Sequence, residues 1–175
     1  MTMRQGAAIA AAACLLSVMA FAQGATKLSD AQIAHIANTA GQIDIDAATQ
    51  ALAKSKNEDV RSFAQEMVRD HTAVNKQVLA LVTKLNVALQ DNDTSRAFSK
   101  EAKEERDKLA KLNGGEFDKA YVANEVAYHK TINSALETTL IPDATNPQLK
   151  NLLQIGLKLF QGHQEHAEHL AASLK

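Results

Sequence analysis

The apolar residues that follow residue 28 recur at intervals of three and four, and this period restricts what the chain can fold into. No segment alternates apolar and polar residues over a useful length, as a half-buried strand would. Residues three and four apart lie on one face of an α-helix, so the chain is predicted to be helical throughout. The clearest apolar stripe comprises Val60, Phe63, Ala64, Met67, His71, Val74, Val78, Val82 and Leu85.

Capping residues and helix breakers divide this helical chain into segments. Ser29 and Gln32 form a capping box at the first helix, and Asn57 can cap the second. The Asn-Gly-Gly sequence at 113–115 is predicted to stop a charged helix, and Pro142 to end the next one. The Asn-Pro pair at 146–147 then starts the last helix. The predicted helices span residues 29–55, 57–86, 94–112, 116–140 and 146 onward.

This division predicts an all-α four-helix bundle with one extra, shorter charged helix between the second and third long helices. The charges of that helix, TSRAFSKEAKEERDKLAKLN at 94–113, are interpreted as a solvated face with intrahelical pairs such as Glu104 with Lys108. The alternative is a surface that binds a partner. A formal net charge of −1 and the lack of a basic run argue against binding to nucleic acid or to an acidic membrane.

Residues 1–22 have the pattern of a secretory signal peptide. Arg4 precedes a short apolar run, and Ala20-Phe21-Ala22 is an A-x-A site, so cleavage is expected after Ala22. A transmembrane anchor is the alternative, but the run is short and ends in small residues. We therefore expect a periplasmic protein without an anchor, with a short extension at 23–28 and the bundle at 29–175. The sequence does not decide whether the protein forms a homo-oligomer or which protein partner it has.

Removal of the signal peptide also removes Cys14, the one cysteine of the chain. The mature protein would then have neither disulfides nor thiolates. Any metal ion must therefore be held by histidine, aspartate and glutamate.

Ionisable residues interrupt the apolar stripe of each long helix. Burying such groups without partners is costly, so we expect them either to bind a metal ion or to hydrogen-bond with one another. A lone histidine on an apolar face is usually a core residue, but a polar group on all four helices favours a shared site. The candidates are Asp44 on the first helix, His71 on the second, Glu125 and His129 on the third, and His163 with the adjacent His166 on the fourth.

The three histidines of the last helix are not expected to act together. Three-residue steps spread His163, His166 and His169 over about 120° of the helix surface. His163 is predicted to face the core, His166 to flank it, and His169 to be solvated. Asp70 points about a quarter-turn away from His71, so it is expected to support the site from outside or to lie at the surface.

Three imidazoles with one or two carboxylates suit Zn, Cu(II), Ni or a single Fe ion. Di-iron bundles instead use Glu-x-x-His motifs on two helices, and no acidic residue lies three positions before any histidine here. A di-iron oxidase is therefore disfavoured. The sequence contains no nucleophile motif, phosphate loop or cofactor fingerprint, so it gives no positive evidence for an enzyme.

Four segments carry a resemblance to a known family: AGQIDIDAATQAL (40–52), VRSFAQEMVRDHTAVNKQV (60–78), GGEFDKAYVANEVAYHKTI (114–132) and LKLFQGHQEHAEHL (157–170). In these the chain resembles the DUF4142 family of exported bacterial domains. The resemblance implies a ferritin-like four-helix fold and draws attention to His71, His129 and His163. It implies no settled biochemical activity.

Two positions depart from the pattern of that family. Asp44 stands where the family usually has glutamate, which shortens the side chain by one methylene group. The last helix lacks the proline that usually precedes the histidine at the position of His163, but it keeps the histidine.

Two hypotheses follow from these observations. The first is a periplasmic metal-binding protein with a role in metal handling or stress protection. The second is a structural or interaction module of the stress response, whose buried histidines, aspartate and glutamate form a hydrogen-bonded network without metal. Histidine titration would let such a module sense pH.

Overall fold

The computed structural model describes residues 27–174, and every regular element in that range is helical. The helices are α1 Asp30–Lys54, α2 Glu58–Lys84, α3 Asp93–Leu109, α4 Gly114–Ala135, α5 Ile141–Asp143 and α6 Pro147–Ser173, with a π-helical turn at Leu136–Leu140 between α4 and α5. The predicted signal peptide, and most of the extension after it, lie outside the described residues. Within residues 27–174, no helix combines the length and apolar character that crossing a bilayer requires.

The predicted caps define the starts of three long helices. The Ser29 hydroxyl accepts from the Gln32 amide, and the Gln32 side chain accepts from the Ser29 amide, which completes the capping box of α1. Asn57 caps α2 and Asn146 caps α6, each through its side-chain oxygen. These bonds satisfy amides that have no partner within the helix.

The boundaries of the middle helices differ slightly from the prediction. The charged helix α3 begins at Asp93 and not at residue 94, because Asn92 and Ser95 form a second capping box. Gly114 is the first residue of α4 and not a stop signal; its φ of 55° turns the chain from α3 into α4. Pro142 lies inside α5, one residue before the helix ends. The π-helical turn precedes it, and there the amide of Ile141 donates to Leu136 five residues back.

The topology explains why the extra helix is present. Short connections make α1 and α2 one antiparallel pair, and α4 and α6 another. The pairs are joined by α3, which returns along the length of the bundle: Asn92 lies near Gln32, whereas the backbone oxygen of Arg106 accepts from Gln50. The predicted all-α bundle with one shorter charged helix is therefore confirmed.

The apolar core consists of two clusters, one toward each end of the bundle. The cluster near the start of α1 contains Ile33, Ile36, Val78, Ile132, Leu149 and Phe160, among others. The cluster near the end of α1 contains Ala48, Val60, Phe63, Phe117, Tyr121 and Leu170, among others. The interval between the two clusters is where the polar residues of the four helices lie.

Candidate metal centre

The polar residues of all four long helices lie at one level of the bundle. Asp44 follows Ala40 of one apolar cluster and precedes Ala47 of the other, and the other helices repeat this arrangement. The packing of the two clusters therefore fixes the level at which the polar groups meet. The residues brought together are Asp44, His71, Glu125, His129 and His163, each 2% exposed or less.

The Asp44 carboxylate lies between two imidazoles. Its Oδ2 atom is 3.1 Å from Nε2 of His71 and 3.4 Å from Nε2 of His129. Ligand atoms about 2.1 Å from a tetrahedral metal ion lie about 3.4 Å from one another. These distances fit two ligands around one ion, and the 3.1 Å contact with His71 is also within hydrogen-bond range. The short aspartate side chain reaches both imidazoles.

Three imidazole rings form a triangle beside Asp44. The ring centres of His71, His129 and His163 are 5.3 to 5.7 Å apart. One nitrogen from each of the three lies within 4.8 Å of the other two. Phe160 stacks on His71 at 4.5 Å with an interplanar angle of 14°, so an aromatic ring limits the freedom of that imidazole.

Hydrogen bonds fix which nitrogen of two histidines remains free. Nδ1 of His129 lies 3.0 Å from the backbone oxygen of Glu125, which can only accept, so Nδ1 donates and Nε2 keeps its lone pair. Nε2 of His163 lies 3.1 Å from the Asp70 carboxylate and donates to it, which leaves Nδ1 of His163 with a lone pair. An outer carboxylate or carbonyl that orients a ligating histidine is the usual arrangement at metal sites.

The remaining polar atoms of this group have no hydrogen-bond partner. Buried polar atoms are normally satisfied, so several at one place require an explanation. Glu125 contributes an oxygen that lies within 4.8 Å of donor atoms of Asp44 and His129. The atoms without a partner are both carboxylate oxygens of Asp44, both ring nitrogens of His71, Oε2 of Glu125, Nε2 of His129 and Nδ1 of His163.

Burial and mutual charge set the protonation of these groups. Burial by itself would raise the pKa of Asp44, but the imidazoles of His71, His129 and His163 outweigh it and hold that pKa below its ordinary value. Burial, with the charge of Asp44, raises the pKa of Glu125 well above its usual range. Burial lowers the pKa of His129 to about 4 and also lowers that of His163. The arrangement favours an ionised Asp44 beside neutral His129 and His163, a form in which the nitrogen lone pairs of those two histidines are available to a cation.

His166 lies apart from this core group. Its side chain is 47% exposed, its Nδ1 lies 2.8 Å from Oε2 of Glu66, and its ring meets Phe63 edge-on. The helical spacing that predicted a flanking position agrees with this placement. His163 itself faces the core, as its place in the apolar stripe indicates.

Two residues have surroundings that the sequence pattern did not specify. Asp70 is directly bonded to His163 across the α2–α6 interface, whereas the helical spacing could show only that it points away from His71. Tyr121 is fully buried with a hydroxyl that has no partner, and burial together with the charges of Glu125 and Asp44 raises its pKa. The apolar stripe Tyr121, Glu125 and His129 predicts that Tyr121 faces the core, and the structure adds that its hydroxyl lacks a partner.

A family model described as a domain of unknown function, DUF4142, matches residues 17–170. The chain belongs to the DUF4142 family. No curated protein matches its sequence. Family membership confirms the resemblance that the four sequence segments indicated.

Solved structures show which fold this DUF4142 domain shares. A candidate secreted protein, DUF305, from Streptomyces coelicolor aligns with a TM-score of 0.70 and 14% identity, over 82% of this chain and 91% of the other. CopM in its Cu(II)-bound form aligns with a TM-score of 0.65 and 14% identity, over 85% of this chain and all of the other. At this level of identity the similarity establishes a common helical fold.

Proposed function

We propose that this DUF4142 domain binds one transition-metal ion in the middle of its bundle. The observation that carries the proposal is the convergence of unpartnered donor atoms from all four long helices, in a core where such atoms are costly. The spacing of Asp44 from two imidazoles, which matches ligands around one ion, supports it independently.

The proposed ligands are His71, His129, His163 and Asp44, with Glu125 close enough to complete or adjust the coordination. We leave His166 outside this set because its Nδ1 is engaged by Glu66 at the surface. Imidazoles with a carboxylate suit Zn, Cu(II), Ni or mononuclear Fe. Cu(II) is the ion to test first, since the solved structure of CopM, which shares this fold, is of a Cu(II)-bound form.

The proposed location is the periplasm, and the proposed role is metal handling or protection against stress. Both rest on the signal-peptide pattern of residues 1–22 together with the proposed metal site. In this arrangement residues 23–28 are a short extension and 29–175 form the metal-binding domain. Nothing in the site indicates a substrate, so the proposal is one of binding and not of catalysis.

The alternative is a metal-free polar network that holds the helices in register. Such a network requires the buried groups to hydrogen-bond with one another. In the described residues, hydrogen bonds join His129 to a backbone oxygen, His163 to Asp70 and Glu125 to Asn124. Between side chains of the group, Asp44 contacts His71 at 3.1 Å and His129 at 3.4 Å, which still leaves Nδ1 of His71, Nδ1 of His163 and Oε2 of Glu125 without a partner. This observation favours the metal site over the network.

Elemental analysis of the mature protein tests the proposal. The protein is purified from periplasm without an affinity tag, beside the variant His71→Ala/His129→Ala/His163→Ala. A matched control, His35→Ala/His169→Ala, removes two histidines outside the core group. We expect near-stoichiometric metal in the wild type and control, and none in the triple variant.

Copper titration of the same proteins, followed by electron paramagnetic resonance, distinguishes nitrogen ligation in the core from adventitious binding. Equal metal content in all three proteins would contradict the proposal. So would a folded wild-type protein that takes up none of Cu(II), Zn, Ni or Fe; the polar network would then be the better account.

A further inference from the structure

A small cavity connects the surface to the carboxylate side of the core group. It has a volume of about 30 Å³ and lies between α1, α3 and α4. Asp44 and Glu125 line it from the bundle, and Ala102, Glu105 and Arg106 line it from α3. A space of this size holds about one water molecule, so it can also hold a small ion with little of its hydration shell.

The outer wall of this cavity is weakly attached to the bundle. Of the residues of α3, Ser95 and Leu109 alone are buried, so little apolar surface holds its central part in place. Near the cavity, Leu109 is buried in the core, and the other attachments are polar: Gln50 donates to the backbone oxygen of Arg106, and the Arg106 side chain lies 3.4 Å from Asp46. Segments with few buried apolar contacts open locally at low free-energy cost.

The opposite side of the site is more firmly closed to a cation. There Nε2 of His163 is bonded to Asp70, and Arg69 forms two hydrogen bonds of 2.7 and 2.9 Å with the same carboxylate. A cation approaching from that side meets carboxylate oxygens of Asp70 that already accept from Arg69 and His163. The cavity under α3 instead reaches Asp44 and Glu125, whose carboxylate groups each retain an unpartnered oxygen.

We propose that the metal ion enters and leaves the core through the cavity beneath α3, with Glu105 as the outer carboxylate and Asp44 and Glu125 as the inner ones. This inference rests on the proposed metal site. It gives the charged helix a specific role, because outward movement of α3 would widen the cavity enough for an ion to pass. Arg106 lies at the rim, 3.4 Å from Asp46, and Lys108 donates to Oε2 of Glu105 at 2.9 Å, a surface ion pair that engages one of the two oxygens of that carboxylate.

Stopped-flow uptake of Cu(II) tests the route. The chain has two tyrosines and no tryptophan, and both tyrosines lie on α4 within two turns of the site, so quenching of their fluorescence reports arrival of the ion. Ala102→Leu fills the cavity and should slow uptake and release at least tenfold each. Because a barrier affects both directions equally, the dissociation constant should not change. Ala80→Leu, at an exposed position on α2, is the matched control.

A second variant tests the outer carboxylate. Glu105→Gln should slow uptake several-fold, whereas Glu104→Gln, which removes the same charge from an exposed neighbour, should leave the rate unchanged. This comparison decides the question even where Ala102→Leu impairs folding, which circular dichroism would show.

The outcomes separate the two proposals. Absence of copper from wild-type protein would overturn the metal site and the route together. Normal copper binding with wild-type rates in Ala102→Leu and Glu105→Gln would overturn the route alone. Faster uptake in Asp70→Ala than in wild type, with no effect of either α3 variant, would assign entry to the α2–α6 side.

Discussion

Gly41 lies where α1 passes over the Asn75 side chain of α2. A Cβ atom at position 41 would lie 2.2 Å from Oδ1 and 2.8 Å from Cγ of Asn75. Asn75 is buried, and its Nδ2 donates to the backbone oxygen of Asn38 at 3.2 Å. The substitution Gly41→Ala therefore forces either the Asn75 amide or the whole of α1 to move.

Two opposing effects determine the stability of this variant. Alanine is favoured over glycine inside a helix by about 1 kcal/mol, which would stabilise the protein. Overpacking of a well-filled interface costs roughly 1 to 3 kcal/mol, and loss of the hydrogen bond to Asn38 costs about 1 kcal/mol more. The net expectation is a decrease of about 2 kcal/mol in the free energy of unfolding.

Urea unfolding of the metal-free protein, followed by circular dichroism, measures this change. The control is Gly162→Ala, because a Cβ there meets no atom within 4 Å, so helix propensity alone should make that variant more stable. Adding Asn75→Ala to Gly41→Ala should recover part of the loss, since it removes the obstructing amide.

The sign of the effect decides the test. Gly41→Ala protein at least as stable as the wild type would refute the packing argument. A functional consequence should accompany the loss of stability. Asp44 lies three residues after Gly41, and His71 lies one turn before Asn75, so displacement of α1 should also weaken Cu(II) binding.

Three further predictions concern the site and its supports. Burial holds the pKa of folded His129 at about 4, below its ordinary 6.5. Between these pH values the unfolded chain therefore binds more protons than the folded protein. The free energy of unfolding of the metal-free protein should fall by roughly 3 kcal/mol for this group as the pH drops from 6.5 to 4. Urea unfolding as a function of pH measures this in the Glu125→Gln variant. That background is needed because the raised pKa of Glu125 makes the wild-type protein more stable as the pH drops, which opposes the effect of His129. A free energy of unfolding that does not change with pH would contradict the prediction. Asp70→Asn should weaken Cu(II) binding about tenfold, since the amide orients His163 less strongly; competition with a chelator measures this, and an unchanged affinity would show that the contact has no such role. Ser29→Ala should lower the free energy of unfolding by about 1 kcal/mol through loss of the cap of α1, and an equal urea midpoint would exclude this contribution.

The helices could be predicted because their determinants are local. The caps Ser29, Asn57 and Asn146 bond to amides two or three residues away, so the residues that start each helix are adjacent in sequence. The predicted helix boundaries are wrong where the local interaction that sets them is harder to recognise from the sequence. Asn92 with Ser95 starts α3 one residue early, and a π-helical turn carries the fourth helix past Pro142.

The candidate site could be predicted only as a set of residues. Asp44, His71, Glu125, His129 and His163 each interrupt an apolar stripe, and a helical period of 3.6 residues is enough to show that each faces the core. The same argument assigned His166 to the flank. Period alone does not give the axial position of one helix against another, so it could not show that these groups meet at one level.

The sequence by itself determined that the chain is helical, where three of its long helices begin, and which polar side chains point inward, because these depend on contacts within one or two turns. Only the tertiary structure decided the rest: the packing of two apolar clusters sets the helices in register, brings Asp44 within 3.4 Å of two imidazoles, and joins Asp70 to His163. It also lays α3 over the carboxylate side of the site. The bond between Asp70 and His163 joins residues 93 positions apart, and such contacts form only when complementary side chains from different helices fill the same space.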